Sequence, residues 1–145
     1  MTRDEVMEMT DDELRIKAAE LKGAKWYVLT LENEENQERH LCWQRPTKNW
    51  RDATEDDPIF PGYLSIIPDY PNDIAAAWKL WQFAKSLDDE EWHGRTLSMA
   101  EFVTWNADQD RADWDDDPMY CLRHVINNMT AKAITRAFIL AMEPA

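Results

Sequence analysis

The sequence predicts a single α+β domain in which a small antiparallel sheet packs between helices, and three observations predict it. An apolar run of helical period extends to Leu87 from a cap at Asn72 or Asp73. Two segments of strand composition lie between Ala24 and Gln44, and a second helical run closes the chain from Thr130 to Met142. The 145 residues fit one domain. A domain of that size buries roughly two-thirds of its unfolded surface without needing staples. An apolar content of 44% with eight tryptophans excludes a disordered chain. The domain is read as 1–145, with a short acidic lead-in at 1–9, an irregular loop at 45–68 and an acidic loop at 106–118.

Each element has its own warrant. Thr10 and Glu13 form a capping box, Met9 staples onto Leu14, and Leu14, Ala18 and Leu21 make the inward stripe of a helix that Gly23 ends. Thr2 and Glu5 can cap a shorter turn before it. KWYVLTL and RHLCWQ flank the polar NEENQE as a hairpin. A turn centred on Glu34 and Glu35 would set Trp26 opposite Trp43, Val28 opposite Leu41 and Thr30 opposite Arg39. Tyr27, Leu29, His40 and Cys42 then take the other face.

Three prolines from Pro58 to Pro68 keep the 45–68 loop irregular, yet Ile59, Phe60, Tyr63, Leu64, Ile66 and Ile67 read as buried. The run from Pro68 to Leu87 looks like the central helix: Ile74, Ala77, Trp78, Trp81 and Ala84 share one stripe, and Leu80, Phe83 and Leu87 form a second. Leu97 to Asn106 fits two readings, a helix boxed by Ser98 and Glu101 or a strand through EFVTW. MYCLRHVIN is equally divided. It is either a helix with Pro118 at its first position or a strand paired back on 99–106, and the Asn127-Asn128 stop before Thr130 favours the strand. Ile134, Ala137, Phe138 and Ala141 stripe the last helix.

Charge narrows the function. Twenty-nine acids against 16 bases leave a net charge of −13, which repels nucleic acid and anionic lipid at long range. Such a surface serves solubility, attraction to a basic partner, or imitation of a phosphate backbone. Three glycines leave little room for a Gly-rich phosphate loop. No run of 18 apolar residues exists, and the acidic start is not a secretory signal. Two cysteines make no disulfide framework, so an intracellular, reduced setting is expected.

The run from Ile67 through Trp81, with its proline-and-tyrosine approach and Asn72-Asp73-Ile74 leading to Trp78, resembles a signature of small proteins of tailed bacteriophages and prophages. Thr130, Ala131, Ala133 and Ala137 are similar to the last helix of the same family, the phage "ABA sandwich" domain. The loop at 45–68 and the 88–117 region depart from it with acidic insertions. The resemblance implies a sheet between helices and a phage accessory gene expressed in the host bacterial cytoplasm. It implies no common reaction.

Four candidate sites follow. His40 and Cys42 at strand spacing, with Cys121 and His124 at helical spacing, have the residue types of a Cys2His2 zinc site, although a strand at 119–127 would part the second pair. Neither cysteine is expected as a nucleophile, because an apolar setting raises a thiol pKa. Arg45, Lys48, Trp50 and Arg51 form the one basic island, mixing cations for phosphate with a ring for base stacking. That island would suit a sponge for a host signalling nucleotide, or would simply neutralise Asp52–Asp57. Trp92, Trp105 and Trp114 lie by acidic stretches, and Trp114 inside DRADWDDD has the setting of an interface anchor.

The favoured expectation is binding without catalysis. Asp108, Asp110, Asp113, Trp114, Asp115, Asp116 and Asp117 would form an acidic docking face for a bacterial host protein with a basic surface, with Glu55, Asp56 and Asp57 as a second patch. No cofactor, direct nucleic-acid contact or membrane is expected. A self-associating structural phage component is the remaining reading.

Overall fold

The computed structural model describes residues 1–30, 37–46, 49–62, 66–88, 94–105 (backbone only at 104 and 105) and 129–143. In chain order these hold α1 (Arg3–Glu8), α2 (Asp11–Leu21), β1 (Lys25–Leu29), β2 (Arg39–Cys42), β3 (Trp50–Asp52), α3 (Ile74–Leu87), α4 (Gly94–Trp105) and α5 (Ala131–Met142). Among the described residues, five helices and one three-stranded antiparallel sheet, ordered β2-β1-β3, make an α+β domain around one continuous core.

Local chemistry sets the helix ends. Thr2 with Glu5, and Thr10 with Glu13, complete reciprocal capping boxes at α1 and α2. Past the end of α2, Gly23 takes φ +115°. Its amide donates to the Glu20 carbonyl and that of Ala24 to the Ala19 carbonyl, a Schellman turn that only glycine enters without strain. Asp73 caps α3 by accepting from the amides of Ala75 and Ala76, and Thr130 caps α5 by accepting from Ala133. The Arg15 guanidinium donates to the carbonyls of Ile67 and Pro68, tying α2 to the approach of α3. Beside it Tyr70 is fully buried. Burial pushes its phenol up to about 12, and its hydroxyl has no hydrogen-bond partner among the described residues.

The centre of the fold is α5, not α3. α5 packs against α1, α2, α3 and α4, and it buries Ala133, Ile134, Thr135, Ala137, Phe138 and Ile139. Those positions cover most of its circumference, and the alanines let neighbouring backbones approach closely. α3 is amphipathic instead. Ala76, Ala77, Leu80 and Ala84 are buried, whereas Ile74, Trp78 and Leu87 are 53%, 43% and 45% exposed.

α4 makes 97–105 helix, starting at Gly94, upstream of the Ser98–Glu101 box; residue 106 lies outside the described residues. Its cap comes from a distance: the Asp88 carboxylate accepts from the amides of Arg95 and Thr96 and from the Thr96 hydroxyl. Met99, Phe102 and Val103 then face the core. A strand at 119–127 therefore has no strand at 99–105 to pair with, and 119–127 itself lies outside the described residues.

The sheet keeps its expected faces in a different register. Trp26 pairs with Leu41 and Val28 with Arg39, a two-residue slip from Trp26–Trp43 and Val28–Leu41. Because side chains alternate with period two, that slip leaves every residue on its predicted face. A turn without an Asn-Gly pair does not fix register. β2 ends at Cys42, so Trp43 lies beyond the ladder and is 40% exposed. β3 adds a strand on the other edge of β1, with Leu29 opposite Trp50, Val28 opposite Arg51 and Tyr27 opposite Asp52. Three residues inside the irregular loop carry too short a pattern to announce a strand.

The rest of that loop is pinned by backbone. The Arg39 amide donates to the Pro58 carbonyl at 2.6 Å and the Phe60 amide to the Arg39 carbonyl at 3.0 Å. Its apolar residues are not all inside, however. Ile67 is 1% exposed, but Ile59, Phe60 and Ile66 are 40%, 36% and 54% exposed. Without a helical or strand period, composition alone does not say which of them face inward.

Candidate functional site

Antiparallel partners share a face, so Trp26, Val28, Arg39, Leu41 and Arg51 lie on one side of the sheet. Trp26 and Leu41 join the helical core there, and the Arg39 guanidinium sits 4.7 Å from the Trp26 ring centre. Lys25, Tyr27, His40, Cys42, Trp50 and Asp52 lie on the other side. The His40 ring stacks on Phe60 at 4.3 Å and meets the edge of Trp50 at 5.2 Å. His40 and Cys42 do share a face, as zinc ligation requires, and burial pushes the Cys42 thiol up, away from the thiolate a metal needs. Cys121 and His124 lie outside the described residues.

The basic island does not converge. Strand alternation sends Trp50 and Arg51 to opposite faces. Arg51 is committed to Asp57 by paired bonds of 3.0 and 2.9 Å. The Asp57 carboxyl is held well below the usual range by Arg51 first and by the Thr54 amide next. Lys48 lies outside the described residues. What forms here is the local neutralisation of an acidic turn.

Arg45 goes elsewhere. It lines a groove of about 580 Å³ with Glu20, Lys25, Tyr27, Asp52 and Ala53, at the junction of the end of α2, the start of β1 and the end of β3. Four charged side chains, two of each sign, stand around a floor of small and aromatic residues. The turn at Gly23 and the β1–β2 hairpin bring positions 20, 25 and 45 together. Asp52 joins them because β3 pairs with β1, the one pairing that the pattern of the chain does not reveal.

Of the acidic docking residues, Glu55 and Asp56 are exposed, and Asp57 is engaged as described. Asp108, Asp110, Asp113, Trp114, Asp115, Asp116 and Asp117 lie outside the described residues, as do Trp92 and the side chain of Trp105. The described exposed indoles are Trp43 and Trp78. Trp78 stacks against Trp81 with ring centres 5.9 Å apart. Lys22 lies 5.6 Å from the centre of the Trp43 ring, its ammonium pushed down by burial and by Lys79. The exposure of Trp78 had a signal: Gln82 and Lys85 sit four and seven positions on, along the same face of the helix.

A scan against protein-family models, a search of curated proteins and a search of solved structures each return no match to this chain. No described helix is long and apolar enough to cross a membrane. Among the described residues no three His, Cys, Asp or Glu side chains gather as a metal set.

Proposed function

We propose that this chain is a binding protein that docks a cationic partner through its acidic surface, and that it is not an enzyme. The observation that carries the reading is the net charge of −13 on a body whose described carboxylates largely stand in solvent: Asp4, Glu5, Glu8, Asp12, Glu13, Glu55 and Asp56 are all exposed. Such a field steers a basic partner and discourages nucleic acid. The docking face is assigned to Asp108, Asp110, Asp113 and Asp115–Asp117 around Trp114 in the sequence, with Glu55 and Asp56 as a second patch. We take the setting to be a phage or prophage, on the resemblance at Ile67–Trp81 and Thr130–Ala137 alone. The partner is then a host protein of the bacterial cytoplasm, inhibited or redirected by an acidic surface that imitates a nucleic-acid backbone.

The test compares capture from bacterial lysate by the wild-type chain and by a variant carrying Asp115→Lys, Asp116→Lys and Asp117→Lys. A protein retained by the first and lost by the second, with the variant melting normally, supports the reading. Equal retention by both contradicts it.

A further inference from the structure

The groove between α2, β1 and β3 offers chemistry that the acidic docking surface does not use. Glu20, Lys25, Arg45 and Asp52 all line it, yet none of the four side chains forms an ion pair or hydrogen bond with another described residue. Opposite charges around one cavity normally pair. The four are carried by separate pieces of backbone: the last turn of α2, the first residue of β1, the segment after β2 and the last residue of β3. Of the two aromatic residues that line it, Tyr27 is only 7% exposed and Trp26 lies on the opposite face of the sheet against the Arg39 guanidinium, so neither offers much free ring for a base to stack on. The volume of about 580 Å³ lies within the roughly 300–1,000 Å³ usual for small-molecule sites.

We propose that this groove binds a small zwitterion of short-peptide size, its carboxylate held by Lys25 and Arg45 and its ammonium by Glu20 and Asp52. Balanced charge in the ligand matters for a second reason. The net charge of −13 disfavours any simple anion approaching the two cations, whereas a zwitterion carries no net charge for that field to repel. A guanidinium and an ammonium beside a carboxylate, with two carboxylates beside an ammonium, give charge-assisted contacts at both ends. A ligand lacking either charge leaves half of the groove unanswered.

Titration calorimetry of the full chain with triglycine, N-acetyltriglycine and triglycine amide tests this directly. Triglycine is expected to bind about tenfold more tightly than either blocked peptide. Arg45→Gln is expected to reduce triglycine to the affinity of the amide, and Glu20→Gln to reduce it to that of the acetylated form. Both residues are exposed, so unchanged melting of the variants confirms that the fold is kept. Equal binding of all three peptides overturns the proposal. So does the absence of triglycine binding up to about 20 mM, or tighter binding of the acetylated anion.

Discussion

Asp88 ends one helix and starts the next, and removing it puts a measurable number on the non-local cap. Its side chain is 1% exposed. It accepts from the Arg95 amide at 3.2 Å, the Thr96 amide at 3.1 Å and the Thr96 hydroxyl at 2.9 Å. Losing an N-cap oxygen costs about 0.5–2 kcal/mol. Because three donors lose one buried acceptor together, Asp88→Ala belongs at the top of that range, about 2 kcal/mol. For a domain of this size that lowers Tm by about 4–8 °C. The pH dependence has a definite sign. Burial pushes the carboxyl up, but hydrogen bonds from Thr96 and Arg95 outweigh it and hold the folded value below the ordinary one. The carboxylate therefore stabilises the fold above the unfolded value of about 3.9, and the contribution is lost as pH falls through the folded value. Denaturant unfolding of the wild type and of Asp88→Asn, at pH 7 and in acid, should show the gap shrinking in acid. A gap that stays constant or grows refutes the assignment, as does Asp88→Ala melting within a degree of the wild type at pH 7.

Three further outcomes follow. Leu80→Ala empties a fully buried position and should cost about 2–5 kcal/mol, whereas Trp78→Ala at a site 43% exposed should cost under about 1 kcal/mol despite deleting a larger group. Paired urea titrations check this, and equal losses would mean that α3 is covered on both sides. Gly23→Ala meets no atom within 4 Å but must hold φ +115°, so strain alone should cost about 1–2 kcal/mol by the same titration. Thr130→Ala removes the cap of the helix that the other four described helices touch and should cost about 1 kcal/mol, more than Thr2→Ala at the six-residue α1.

What could be read from the sequence were the features whose causes are local. The boxes at Thr2–Glu5 and Thr10–Glu13, the stop at Gly23 and the caps at Asp73 and Thr130 each rest on atoms within five residues of one another. The two faces of the hairpin were readable too, since alternation alone decides them. Features set by distant partners were not. The choice of α5 over α3 as the hub depends on how four other helices stack. The start of α4 depends on an aspartate six residues upstream. β3 exists because β1 offers it an edge, and Asp52 reaches the groove through that pairing. The basic island failed as a unit for the same reason: Trp50 and Arg51 are neighbours in the chain, and a strand turns neighbours away from each other.

The central claim is that negative charge drives recognition by this chain. The dissociation constant of the captured partner, measured with purified proteins at about 50 mM and about 300 mM salt, tests it most directly. Docking through the acidic face predicts that binding weakens at least about tenfold across that range, mainly through slower association. An affinity indifferent to salt would contradict it.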